Sequence, residues 1–482
     1  MGKYYATIGL EMHCEGSLTK SKVFSPARNE YTDESNVNVS PIDMGFPGVL
    51  PVANKEAVRM SIMMATILHA RIPEYMYWER KNYYYPDLPK GYQITQNPPE
   101  ECVGNGGYID IEREDGSVFR VDIDNLHLEE DAAQLTHLYD TTTINYNRAG
   151  NPLFELVTGP CLHSADDAVS FLEYMRAIYQ YCGISEADSK KGHLRCDVNV
   201  SISEDENTLG TKVEIKNVNS FSSVRDAINY EIERQSDLKD EGRYDDEVVQ
   251  ETRRWDEASG TTISMRSKVD AIDYKYFVEP NIPKYKLDEA WVKEIQANIP
   301  ELPYERKEKY MNDLGLSAYD AGIIIKDIKI ANYFEECVSL GIDAKTAANW
   351  ICTQILGYVY QHETEIDKIF MTPARLHQIT ESVKSGEISS KQAKEVFALT
   401  FEEEKDPKDI MEVHGIKQMS NDGELLDIVI KVLDNSEAQV QQFKDGATNV
   451  FNYFVGQVMK ETRGQANPVK LKEFLDQELG KR

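Results

Sequence analysis

Residues 8–15 read Ile-Gly-Leu-Glu-Met-His-Cys-Glu, and so strict an alternation points to a β-strand. Ile8, Leu10, Met12 and Cys14 fall on one face, while Glu11, His13 and Glu15 fall on the other. The first face asks for a core. The second gathers two carboxylates and an imidazole on one surface, a pattern that fits an ordinary half-exposed strand as well as a site of chemistry.

The same alternation returns at 193–202 and 211–215, two strands joined by the polar loop 203–210. Leu194, Cys196, Val198, Val200 and Ile202 share one face. His193, Arg195, Asp197, Asn199 and Ser201 share the other, and Lys212, Glu214 and Lys216 alternate likewise on the second strand. Interleaved opposite charges suit simple cross-strand pairing. They equally suit a cation-assisted phosphoryl site, because oxygen-rich clusters favour magnesium over zinc, and Lys and Arg complement a transferring phosphoryl group. Two further segments add carboxylates: Glu129, Glu130 and Asp131 follow the apolar approach Leu126-His127-Leu128, and Glu155 lies inside Leu153-Phe-Glu-Leu-Val157. A carboxylate among apolar neighbours needs a cation or hydrogen bonds to offset desolvation, and Arg or backbone donors serve as well as a metal.

A chain of 482 residues exceeds what one core organises, and about two to four domains are expected. From Lys3 to about Pro283, short β-branched and aromatic runs alternate with Gly, Pro and Asn/Asp turns. Helices interrupt them after Ser164, as far as Gly183, and near 224–235. Beyond Pro283 helical spacing dominates, at 305–314, 318–339 and 344–360. The polar run 401–408, with Pro407, reads as a linker before a last helical module. The expected fold is α+β: a large mixed-sheet domain (1–290), an all-helical domain (291–405) and a helical tail (406–482).

Seven cysteines, scattered and without a CxxC pair, argue against a disulfide framework or a zinc knuckle. No apolar run reaches the roughly 18 residues of a membrane span, and the strand pattern begins too early for a signal core, so a cytoplasmic chain is expected. A net charge of −29 counts against an extensive nucleic-acid surface. Any RNA contact is then local, and 444–482, with seven Lys/Arg against five Asp/Glu, is either that contact or a solvated helical end. The segment 80–96 mixes basic and aromatic residues with two prolines. Neither GxxxxGK[ST] nor GxGxxG occurs in the chain, so any ATP binds without a P-loop.

Ten strings, in order, resemble one family: IGLEMH from Ile8, GFPGVLPVANKEAV from Gly45, RKNYYYPDLPKGYQITQ from Arg80, HLEEDAA from His127, NRAGNPLFELVTGP from Asn147, LRCDVNVS from Leu194, TKVEIKNVNSF from Thr211, QETRRWDE from Gln250, DYKYFVEP from Asp273 and GQVMKETRGQANP from Gly456. The chain thereby resembles the B subunits of tRNA-dependent amidotransferases, GatB of the GatCAB complexes. The resemblance implies a cradle-like sheet domain, a helical domain and a tRNA-binding helical tail. It also implies a reaction: ATP phosphorylates the side-chain carboxylate of mischarged Glu-tRNA(Gln) or Asp-tRNA(Asn), and ammonia channelled from a glutaminase subunit displaces the phosphate.

Carried onto this sequence, the resemblance implies a metal and ATP site at Glu11, His13, Glu129, Glu130 and Glu155. Mg2+ is the expected ion, and His13 is an alternative nucleotide contact or an orienter of a carboxylate. Asp197 and Lys216 line the same polar face toward the nucleotide, with Glu214. Lys81, Lys90, Glu130 and Glu214 are expected where ammonia meets the acyl phosphate, and Arg148 or Arg195 against developing phosphoryl charge. Lys460, Arg463, Lys470 and Lys472 are expected to meet tRNA phosphates. Where some relatives carry four zinc-binding cysteines, this chain has Ser25, Ala27, Ser40 and Asp43, so no zinc is expected. The implied partners are the glutaminase (A) subunit, a small linker (C) subunit, mischarged tRNA and, in some assemblies, an aminoacyl-tRNA synthetase; no membrane is implied. Two other functions stay open from the residues alone: a stand-alone ATP-dependent carboxylate-amine ligase for a small molecule, and a tRNA-binding scaffold.

Overall fold

The computed structural model describes residues 3–97, 101–113, 115–267, 273–417, 422–447, 450–462 and 465–482. The chain divides into two compact units, Met1–Arg306 and Lys307–Arg482.

The strands that matter in the first unit are β1 (Tyr5–Glu15), β2 (Glu79–Asn82), β3 (Tyr92–Thr95), β4 (Gly104–Asn105), β5 (Tyr108–Glu112), β6 (Val118–Glu130), β7 (Pro152–Thr158), β8 (Leu194–Ser203), β9 (Val213–Val218), β10 (Glu251–Asp256), β11 (Thr261–Ser267) and β12 (Phe277–Val278). Among the described residues, nine of them form one sheet in the order β11-β10-β9-β8-β1-β7-β6-β4, with β5 hairpinned onto β6. All pairs are antiparallel except β9 with β10, so the sheet is mixed. β1 lies near its centre. Its alternation becomes two faces, with Ile8, Leu10, Met12 and Cys14 at most 1% exposed.

Three helices cover the apolar side: α1 (Lys55–Ile67), α2 (Ala165–Tyr181) and α3 (Phe221–Asp240). Local signals start them. Asn54, Ser164 and Ser220 each accept from backbone N–H groups of the first turn, satisfying donors that have no intrahelical partner. The stripe Val169, Leu172, Met175, Ile178 and Tyr179 of α2 enters the same core as Ile8 and Met12. The helix Glu289–Ala297 adds Trp291, Val292 and Ile295 to that core. A second sheet, β12-β2-β3, sends Thr95 against Glu129 of the main sheet.

The second unit is helical. The expected helix over 318–339 is in fact two, Ala318–Ile324 and Ile328–Ser339, because Asp327 accepts from Lys329 N and starts a new helix. The helical path over 344–360 is continuous but passes through a π-helical turn at Ile351–Ile355. The run 401–408 is no extended linker. The helix Ser390–Glu403 ends at Glu404 in the left-handed region (φ 48°), and Pro407 opens the helix Pro407–His414, where its missing N–H has no cost. Arg375 pins this turn through Asp406 at 2.7 Å, and Pro407–His414 packs on Pro373–Lys384 and Ser390–Glu403. Farther along, Leu425, Val429, Leu433, Phe454, Val458, Leu471 and Leu475 form a separate small core.

Candidate active site on the polar face of the sheet

Register brings distant sequence together. On the polar face His13 stands opposite Arg195 on β8 and Glu155 on β7, Glu155 stands opposite His127 on β6, and Glu11 stands opposite Asp197. The result is a row of titratable groups drawn from four strands. His13 Nε2 lies 3.6 Å from both Glu11 and Glu155. Glu11, His13 and Glu155 can offer ligand atoms within 4.8 Å of one another, and so can His127, Glu129 and Glu155. Glu155 belongs to both groups. Thr95 Oγ1 donates to Glu129 at 2.6 Å.

The electrostatics of this row are unbalanced. Burial and then Glu155 push Glu11 upward, and the same two causes push Glu129 up to about 8. Burial opposes the charging of His13, yet the Glu155 carboxylate 3.6 Å away, with Glu11, carries it up to about 9. Burial likewise works against Glu155, but His13, His127 and Lys81 hold it well below the usual carboxylate range. Lys81 is desolvated too, and its ammonium stays charged because Glu129 and Glu155 face it. Among the described residues His127 Nε2 has no hydrogen-bond partner, and burial lowers its pKa.

Two neighbouring clusters are balanced within the chain. At one end of β1, Asp131 receives Arg195 at 2.9 and 3.0 Å and lies 3.3 Å from Arg148. Burial opposes its ionisation, but the two guanidinium groups hold it below the ordinary Asp value. Glu15, bonded to Asn151, is pushed up to about 7 by burial and then by Asp131. Toward the other edge, Lys216 bridges Asp197 and Glu214, and Thr252 donates to Glu214 at 2.7 Å. A cavity of about 560 Å3 opens beside Glu15, walled by Arg148, Asn151, Lys190, Lys191 and His193. His193 is 5% exposed, and among the described residues its Nδ1 has no hydrogen-bond partner.

Of the residues singled out from sequence, Glu11, His13, Glu129 and Glu155 are brought together, with Lys81 facing them. Glu130 is not. As the next residue along β6 it points away from Glu129, pairs with Lys90 at 2.5 Å and accepts from Ile94 N at 2.8 Å. Arg148 and Arg195 are committed to Asp131, and Asp197, Glu214 and Lys216 form their own bridge. In the second unit Lys460 and Lys472 are exposed and Lys470 is half-buried, whereas Arg463 lies outside the described residues. Sequence reasoning placed Glu15 and Asp131 among the carboxylates but gave them no role, and it missed His127 and Thr95 as members. His127 sits two residues before Glu129, so strand alternation alone was enough to find it. In the segment where zinc is not expected, Asp43 accepts from Ser40 N at 2.8 Å and lies 3.5 Å from the fully buried Lys22.

Comparison with known proteins places this geometry in a class. A family model described as the GatB/GatE catalytic domain matches residues 6–293, the stretch that builds the sheet and its polar face. A second, described as a GatB domain, matches 332–479. The chain belongs to the GatB family. It is 40% identical over 481 residues to the B subunit of the aspartyl/glutamyl-tRNA(Asn/Gln) amidotransferase of Halalkalibacterium halodurans, covering 99% of this chain and 100% of that one. It is 41% identical to the proteins of the same description from Lysinibacillus sphaericus, over 99% of this chain and all of that one, and from Bacillus thuringiensis subsp. konkukian, over 98% and 99%.

Proposed function

We propose that this chain is the B subunit of a glutamine-dependent tRNA amidotransferase, activating the side-chain carboxylate of mischarged Glu-tRNA(Gln), Asp-tRNA(Asn) or both. The observation that carries the reading is the surplus of carboxylates around Glu155, in a domain of the GatB/GatE catalytic type. The substrate carboxylate attacks the γ-phosphorus of ATP and ADP leaves. Ammonia then attacks the acyl carbon, phosphate leaves, and one proton passes to a carboxylate. A resonance-stabilised anion thereby becomes an acyl phosphate with a good leaving group.

The donor set fits a divalent cation. Glu155 would hold it, with Glu11 and His13 on one side or His127 and Glu129 on the other, and the oxygen majority of either group favours Mg2+. Such an ion neutralises phosphate charge when bound. The chain's own groups do the rest. Lys81 faces the carboxylates and steadies added negative charge, while Asp197 and Lys216 line the nucleotide side. Arg148 stands at the cavity beside Glu15, where a polyanionic acceptor end or nucleotide fits, and shares Asp131 with Arg195 behind it. Lys90 and Glu130, with Glu214, take the ammonia-entry role. Lys460, Arg463, Lys470 and Lys472 meet tRNA phosphates. The working protein is then cytoplasmic, assembled with a glutaminase and a small linker subunit, and among the described residues no helix is long and apolar enough to cross a membrane.

The test is ATP consumption and amide formation by the chain assembled with its glutaminase and linker partners, with and without each mischarged tRNA. Turnover should depend on mischarged tRNA, and ATP turnover by the chain alone on a small carboxylate would sink the reading. Glu130→Ala sharpens it. Loss of amide with ATP use retained assigns Glu130 to ammonia entry, and loss of both assigns it to activation.

A further inference from the structure

Lys81 pairs with Gln93 across β2 and β3 and so shares a face with Thr95, which donates to Glu129, and something must hold it there, because β2 belongs to a small sheet separate from the main one. The next residue back, Arg80, points to the opposite side of β2 by strand alternation. Its guanidinium donates to Glu279 through Nε at 2.5 Å and Nη2 at 3.0 Å, and it lies over the rings of Tyr92 (4.2 Å) and Phe277 (5.5 Å). Tyr92 is on β3 and Phe277 on β12, so one side chain clamps all three strands.

Glu279 is fully buried, and its carboxylate also accepts from Asn281 N at 2.9 Å, while its own N–H is bonded to Trp78 O at 2.9 Å. The ion pair therefore fixes the returning segment as well as β2. That segment carries Tyr274 and Tyr276. The Lys81 ammonium lies 5.1 Å from the Tyr274 ring and 5.9 Å from the Tyr83 ring. Asn82, the residue after Lys81, donates to Lys275 O at 2.7 Å and secures the other flank.

The geometry points to Arg80 and Glu279 as positioning residues for the amidation reaction: a bidentate pair with a fully buried carboxylate, on the far side of β2, that sets the place of Lys81 on the face it shares with Thr95 and Glu129. This rests on the assignment of Lys81 to the reacting site. A planar fork matched to a carboxylate fixes orientation in a way a point charge does not, and displacements near an ångström are costly to a preorganised site.

The experiment uses the complete amidotransferase complex and mischarged tRNA. Arg80→Met should lower kcat roughly 10- to 100-fold with KM for ATP and tRNA within about twofold. Arg80→Met/Glu279→Met removes both charges together and avoids an unpaired buried carboxylate, so its melting temperature should recover toward that of the parent while kcat stays low. The deciding comparison is made on a Lys81→Met background. If Arg80 acts through Lys81, adding Arg80→Met there changes kcat by less than about twofold. Multiplying defects would overturn the proposal, and so would full recovery of kcat in the Met/Met variant. If Lys81→Met itself leaves amidation intact, the assignment of Lys81 fails first and the inference falls with it.

Discussion

The Glu155 cluster and the Asp131 cluster share strand β1 and its neighbours, yet the chain treats them oppositely. Asp131 is closed by two arginines whose guanidinium groups already sit at bonding distance. Around Glu155, three carboxylates face one lysine and two imidazoles, of which burial keeps His127 low, and burial with Glu155 behind it pushes the other two carboxylates upward. The second arrangement is electrostatically incomplete, and what completes it must come from outside the chain. A cluster finished internally does structural work; on the proposed reading, the cluster left short of positive charge is where a cation and a phosphate would be received.

The largest expected effect comes from breaking the incomplete cluster. Glu155→Gln should reduce amidation about 10²- to 10³-fold, measured in the assembled enzyme, and should also lower the melting temperature, because Glu155 too is held below the usual carboxylate range. Asp131→Asn should act mainly on stability, lowering unfolding free energy by roughly 2–4 kcal/mol in denaturant titration. That is below the full cost of an orphaned buried pair, because Arg195 keeps a third of its side chain in solvent. The pH dependence follows from the same shift. Asp131 is held below its unfolded value, so its contribution is present above about pH 4 and is lost as pH falls through the folded pKa. Asp131→Asn should flatten that acid limb.

Saturating Mg2+ should stabilise the parent by about 2.7 kcal/mol at a hundredfold excess over Kd, and Glu155→Gln should abolish the shift. An equal shift in Asp131→Asn and the parent would confirm that the two clusters are independent. The smallest effect is Thr95→Val, which removes one hydrogen bond to Glu129 and should cost about 1.5 kcal/mol, read as up to a tenfold change in Mg2+ affinity.

Much of the site was legible in the alternation of β1, β8 and β9, which sorted apolar from polar residues before any pairing was known. Register was not legible. His13 meets Glu155 and Glu155 meets His127 across long separations, and no local signal sets those pairings. The adjacency of Glu129 and Glu130 misled for a physical reason: neighbours on a strand are far apart in function because they face opposite ways. The turn at Pro407 was hidden because proline is as welcome in a helix's first turn as in a linker.

That parity has a consequence for how the gene can vary. Slipping β1 by one residue would turn Leu10 and Met12 toward the site and drive Glu11 and His13 into a core built on Ile8 and Cys14, so single-residue insertions or deletions there fail outright. A two-residue slip keeps the faces while exchanging the partners of every charge. The strand therefore behaves as a code with a reading frame of two, in which the unbalanced cluster is either wholly assembled or wholly absent.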